Sequence, residues 1–278
     1  MSPTAAPTAE PQVTATPTPT TAPSDPKEKA AQQVNDFVGR IYKYILGREP
    51  EAEGQEFWAS ELLGFNRSGA EVANGFLFSE EFLNRNTTDE EFVTILYNTF
   101  FGREPDEGGL AYWLDQLKTG TMDRATVASG FVYSKEWANT CAEYGIASGC
   151  DTQPDIEIEP TQLTFDFVSR IYERALGREA EKEGLDYWSR ELANYRITGE
   201  QVGAMFFMSE ELTNQNLNNG EFINRLYATF LDREADADGR AYWVSVLEQG
   251  TDRLSVVMGF TRSPEFTDKC VDARIKPY

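Results

Sequence analysis

The chain has 278 residues, enough for about two domains, and 40% of them are hydrophobic, so a buried core is feasible. Asp and Glu number 46 against 25 Lys and Arg, a formal charge of −21 that argues against nucleic acid or an anionic membrane as partner, since both require clustered cations. There is no histidine, which removes His-based triads, most zinc sites and imidazole bases, and no window approaches the ~18–20 apolar residues of a membrane span.

Residues 1–27 hold seven of the thirteen prolines and seven threonines, with almost no large apolar side chain. Such a stretch cannot bury enough surface to offset its ordering entropy, so a disordered, extended Pro/Thr-rich linker is expected. It lacks the apolar run of a signal peptide, and linker composition directly after Met1 suggests a piece of a longer chain.

The remainder is a fourfold repeat running Phe37–Phe82, Phe92–Trp137, Phe167–Leu212 and Phe222–Phe266. Each copy opens with FVGRIY, FVTILY, FVSRIY or FINRLY and closes near SEEF, SKEW, SEEL or SPEF. The copies begin 55, 75 and 55 residues apart, so the chain is a tandem of a two-repeat unit. The longer spacing holds a connector with Pro154, Pro160 and an acidic run. The expected division is a first helical domain over 28–150, a connector over 151–163 and a second helical domain over 164–278.

Within a repeat, Phe37, Val38, Ile41, Tyr42, Ile45 and Leu46 form one apolar face of a helix that Gly47 stops. A second helix carries Trp58 and Leu62 four apart, echoed by Trp113/Leu117, Trp188/Leu192 and Trp243/Leu247. A third begins at the capping boxes Ser68/Glu71 and Thr198/Gln201, and a short fourth at the closing serine, as in Ser263-Pro264-Glu265. Strand-like alternation is nearly absent. The fold expected is all-α: two helical domains, each of two homologous three-to-four-helix repeats.

The loop between the first two helices offers chemistry. Its acids alternate and end at glycine: Glu49, Glu51, Glu53 before Gly54; Glu179, Glu181, Glu183 before Gly184; Glu234, Asp236, Asp238 before Gly239. That is the spacing of an EF-hand or dockerin calcium loop, although position 1 is Glu rather than Asp. The twelfth position, Ser60, Arg190 or Ser245, cannot supply a bidentate carboxylate, and the second repeat has Gly108 in place of its third acid. The alternative is that these acids neutralise the neighbouring arginine and favour a helix N-terminus. Arg48, Arg103, Arg178 and Arg233 occupy one repeat position, suited to an internal bidentate pair or an anionic ligand. Trp58, Trp113, Trp188 and Trp243, each preceded by Phe or Tyr, are either sugar-stacking platforms or core residues. No other cofactor is expected.

Cys141 and Cys150 bracket a short loop and are expected to pair as a disulfide in an oxidising compartment, the alternative being three free thiols. Cys270 aligns with Cys141 at an offset of 129 residues. The same offset puts the counterpart of Cys150 one residue past Tyr278, leaving Cys270 unpaired.

The four copies of F-V-x-x-x-Y-x-x-x-L-G-R-E-x-[DE]-x-x-G-x-x-Y-W, with G-F-x-x-S-x-E-F downstream, resemble the bacterial domain-of-unknown-function 4214 family over residues 35–275. Met205 and Asp232 depart from that pattern at glycine positions. The resemblance implies a secreted or cell-surface, non-catalytic helical module beside other domains, and supplies no catalytic residues. The function expected is attachment of a larger secreted bacterial protein to polysaccharide or a cell-surface component. The alternatives are a calcium-stabilised structural module or docking to another protein module, and more remotely a glycan-active enzyme.

Overall fold

The computed structural model describes residues 25–278, and the expected linker lies outside them except for its last three residues. Those three belong to the first helix instead: Asp25 caps α1 (Pro26–Ile41) by accepting the Lys27 N–H at 2.8 Å. Every regular element among the described residues is a helix.

The first repeat is α1, α2 (Ala52–Leu63), α3 (Gly69–Leu77) and the single turn α4 (Glu80–Leu83). The second is α5 (Asp89–Leu96), α6 (Glu107–Lys118), α7 (Arg124–Val132) and α8 (Lys135–Glu143). The third is α9 (Gln162–Ile171), α10 (Lys182–Ala193), α11 (Gly199–Phe207) and α12 (Glu210–Thr213). The fourth is α13 (Asn219–Leu226), α14 (Ala237–Glu248), α15 (Arg253–Thr261) and α16 (Pro264–Asp272). Ser68/Glu71 and Thr198/Gln201 form the anticipated capping boxes, and Ser263 caps α16 ahead of Pro264.

One feature departs from a simple helix. Each opening helix ends in a π-helical turn, at Tyr42–Leu46, Tyr97–Phe101, Tyr172–Leu176 and Tyr227–Leu231. An apolar spacing of four and five residues fits a π turn as well as an α-helix, so periodicity does not separate them. The turn stops at a left-handed residue, Gly47 with φ 72° or its equivalents Gly102 and Gly177. Asp232 takes that conformation in the fourth repeat, where Asp is among the few side chains that tolerate it.

Two apolar cores form. One draws on buried residues from Val34 to Ile146, the other on buried residues from Phe167 to Ile275, so each lies within one two-repeat half. Within a half the repeats exchange reciprocal contacts. Arg170 donates to the Thr229 carbonyl at 3.1 Å, while Arg225 donates to the Ala175 carbonyl. In the first half Arg40 caps Thr99 O at 2.7 Å and Arg85 caps Ile45 O. These charged donors satisfy carbonyls that a helix end leaves open.

The halves also meet each other. Phe65 and Tyr195 occupy equivalent positions, and their rings lie 5.5 Å apart, edge to face. The Arg274 guanidinium sits 6.0 Å from the Phe65 ring and donates to Gly145 O at 2.8 Å, as the Tyr195 hydroxyl does. Gly145 and Arg274 are themselves equivalent at the 129-residue offset, so equivalent positions of the two halves meet each other, although the individual contacts differ. The connector ends at Pro160, not 163, because Thr161 caps α9. It is pinned to both halves: Thr152 donates to the Tyr133 carbonyl and the Asp155 N–H to Asn139 Oδ1 in the first, while Asn194 exchanges hydrogen bonds with Ile158 and Glu157 pairs with Arg190 and Arg196 in the second.

Candidate functional site

The repeated motif builds the same lock four times. Arg48 Nε donates to Glu81 at 2.5 Å and Nη1 to Glu51 at 2.7 Å. Arg103 bridges Glu136 (2.9 Å) and Asp106 (3.7 Å), Arg178 bridges Glu211 (2.5 Å) and Glu181 (2.6 Å), and Arg233 bridges Glu265 (2.8 Å) and Asp236 (3.5 Å). Each guanidinium also lies 4.9–5.1 Å from the ring of Tyr42, Tyr97, Tyr172 or Tyr227. The arginine therefore ties the first, second and fourth helices together. Hydrogen bonds from Arg48 hold the Glu51 and Glu81 carboxyls below their usual range, and Arg178 does the same for Glu181 and Glu211. Burial pushes the Tyr42 and Tyr172 phenols up.

This fixes the fate of the alternating acids. The middle one, at the N-cap of the second helix, is taken by the arginine or by the helix. Asp106 and Asp236 each accept a glycine N–H, from Gly109 at 2.9 Å and Gly239 at 2.8 Å, which lowers both carboxyls. The flanking acids do not converge on it. Among the described residues, no group of three His, Cys, Asp or Glu side chains is placed to hold a metal ion. Glu49, Glu53, Glu179, Glu183, Glu234 and Asp238 are exposed, with no ion pair among the described residues.

The glycine closing each loop is required by packing. A Cβ at Gly54, Gly109, Gly184 or Gly239 would come within 2.2–2.5 Å of the hydroxyl of Tyr42, Tyr97, Tyr172 or Tyr227. The tyrosine seats against bare backbone.

From that tyrosine an aromatic chain runs outward. In the first repeat Tyr42 packs on Phe76 (4.8 Å), Phe76 on Trp58 (5.3 Å) and Trp58 on Phe57 (5.0 Å). Tyr97–Phe131–Trp113–Tyr112, Tyr172–Phe206–Trp188–Tyr187 and Tyr227–Phe260–Trp243–Tyr242 repeat it. The four tryptophans are half-buried against the cores. The ring before each one is the exposed one: Phe57 54%, Tyr112 52%, Tyr187 56% and Tyr242 62%. Sequence reasoning singled out the tryptophans and passed over these neighbours. The signal was present, because the residue beside a buried i, i+4 pair is turned about 100° away from the core.

The expected Cys141–Cys150 disulfide is not formed; all three thiols are free. Cys141 is buried between α8 and α3, close to Gly69, and desolvation drives its thiol well above its ordinary value. Cys150 is half-buried on the irregular segment that caps α3, where Ala147 and Ser148 carbonyls accept the Gly69 and Ala70 N–H groups, and its Sγ lies 3.3 Å from Ser148 Oγ. The chain end repeats this device, with Lys276 and Pro277 carbonyls accepting from Gly199 and Glu200 while Cys270 packs near Gly199. The shared requirement that produces the two cysteines at offset 129 is a small buried side chain over that glycine, not a bridge.

The family described as "Domain of unknown function (DUF4214)" matches residues 26–86, 73–141, 161–216 and 203–270. The chain belongs to the DUF4214 family. The matched segments follow the four repeats, including the arginine locks and the aromatic chains. No curated protein matches the sequence. No helix among the described residues is long and apolar enough to cross a membrane.

Proposed function

We propose that this DUF4214 tandem is a non-catalytic attachment module of a larger secreted bacterial protein, holding it to polysaccharide through four equivalent aromatic rings. One observation carries the reading: Phe57, Tyr112, Tyr187 and Tyr242 are exposed at one position in every repeat. Folding gains nothing from exposing a large aromatic ring four times, whereas a flat ring held edge-on by a half-buried tryptophan suits stacking on a pyranose face. The ring is also preorganised, being the last member of a packed chain that begins at an arginine lock. Four weak sites on one chain gain by avidity, because the first contact raises the effective concentration for the next.

A non-catalytic role is supported by the electrostatics. Every carboxyl that departs from its ordinary value does so downward, for instance Glu71, Asp123 and Glu265, so none of them is held protonated near neutrality as a general acid. The acids are also spread over four equivalent loops rather than gathered in one cleft.

Affinity electrophoresis on a panel of soluble and insoluble glycans tests the proposal. The native chain should be retarded by at least one glycan, and the F57A/Y112A/Y187A/Y242A variant, confirmed to be folded by cooperative thermal unfolding, should migrate freely. No retardation on any glycan would remove polysaccharide and leave docking to a protein partner.

A further inference from the structure

The ring alone does not say which polysaccharide, but its surroundings do. Phe57, Tyr187 and Tyr242 each follow an acidic residue by one helical turn: Glu53, Glu183 and Asp238. Residues four apart on a helix share a face, with Cβ atoms about 5–6 Å apart, and a long side chain leans toward the preceding turn. The carboxylate therefore stands at the rim of the exposed ring. These three carboxylates are exposed and have no basic partner among the described residues, although the acid two positions earlier in the same loop is claimed by an arginine. The loop thus separates acids that fold the repeat from acids left over beside the ring.

Charge narrows the ligand further. At −21, and with a screening length of about 8 Å at physiological salt, the surface disfavours glycans carrying carboxylates, sulfates or phosphates. A ligand that presents one apolar face to the ring and an ammonium to its rim uses both halves of the site. Resting on the attachment reading above, we propose that the aromatic–carboxylate pairs of the first, third and fourth repeats are subsites for a polymer of cationic amino sugars, one hexosamine per ring. The pyranose face stacks on Phe57, Tyr187 or Tyr242, and the free amine pairs with Glu53, Glu183 or Asp238. The second repeat has Gly108 at the rim and supplies stacking by Tyr112 alone.

The experiment titrates the full chain at about pH 6, where amines and carboxylates are both charged. The probes are a glucosamine hexamer, its fully N-acetylated counterpart, and polylysine as a featureless polycation. The free-amine hexamer should bind about tenfold or more tighter than the acetylated one, a gap that E53Q/E183Q/D238N closes by roughly 2–5-fold per site. Gly108→Glu should tighten binding by a similar factor, while Gly108→Ala leaves it unchanged; a Cβ at Gly108 meets only Asp106 Oδ1, at 3.5 Å, so both variants fold. The alanine variant of all four rings keeps the net charge. It should lose the hexamer and keep whatever polylysine affinity the native chain has.

Equal affinity for the two hexamers would overturn the amino-sugar assignment and leave the attachment reading standing. Hexamer binding that survives removal of the rings would overturn both, since charge alone would then explain it. Binding to no glycan removes the attachment reading itself.

Discussion

The tyrosine–glycine seat makes a quantitative prediction with its own control one residue away. Gly108 and Gly109 are adjacent in the first turn of α6, and both have ordinary helical backbone. A methyl at Gly108 meets nothing closer than 3.5 Å, so Gly108→Ala should gain the usual helix preference of alanine, about 0.5–1 kcal/mol. A methyl at Gly109 would stand 2.2 Å from the Tyr97 hydroxyl and 3.2 Å from its Cζ. The Tyr97 ring is only 5% exposed and packed on Phe131, so it cannot swing aside freely. Overpacking of this kind costs about 1–3 kcal/mol, which exceeds the alanine gain. Gly109→Ala should therefore be net destabilising by about 0.5–2 kcal/mol, and the two variants should differ by several degrees in Tm at ~2–4 °C per kcal/mol. Tyr97→Phe removes the clashing oxygen, so the cost of Gly109→Ala should shrink when measured in that background. Thermal and urea unfolding of the four proteins provide the values. If Gly109→Ala stabilises as much as Gly108→Ala, the seat is not what holds the first and second helices together.

The remaining predictions concern the lock, the core and the thiols. Arg178→Met should destabilise the third repeat at neutral pH. The carboxyls of Glu181 and Glu211 are lowered in the folded state, so the advantage of the native chain is full above their ordinary value of 4.5 and fades as pH falls through the folded values; a Tm difference that grows on acidification would refute it. Trp137 is fully buried with its indole N–H unpartnered, and its equivalents are Phe82, Leu212 and Phe266. Trp137→Phe should thus cost under about 1.5 kcal/mol, because losing an unsatisfied donor offsets lost packing, whereas Trp137→Ala should cost about 3–5 kcal/mol, read by chemical denaturation. Three thiols should titrate on unfolding without reductant, and only Cys150 should react quickly in the native chain; a count of one would restore the bridge.

Much of the fold was legible because helices announce themselves locally. The apolar face of Phe37 to Leu46, the Ser68/Glu71 and Thr198/Gln201 boxes and the serine–proline start at Ser263 are all decided within a few residues. The π turns were not legible, since Tyr42 and Ile45 satisfy either helix period and the choice rests on how Tyr42 seats against Gly54 in another helix. The cysteines misled for a similar reason. Their spacing is that of a bridge, but Cys141 serves α3 by fitting over Gly69, which no spacing reveals. At the candidate site, the arginine and the acids were found as a group. What divided them, Glu51 locked and Glu53 free, depends on Glu81 arriving from 33 residues away.

Fourfold repetition by itself carries no functional information, because a packing requirement repeats as faithfully as a binding one. Burial separates the two. Arg48, Tyr42, Gly54, Phe76 and Trp58 recur because each occupies the space or satisfies the charge of another, and removing one strands its partner. Phe57 and its three equivalents recur without that excuse: each touches its tryptophan on one edge and offers the other face to solvent. Folding tolerates a polar residue there, since substituting an exposed helix position away from caps and ion pairs usually shifts stability by no more than about 0.5 kcal/mol. The edge-to-face contact with the tryptophan accounts for one side of each ring, and the solvent-facing side is what the proposed attachment role would use.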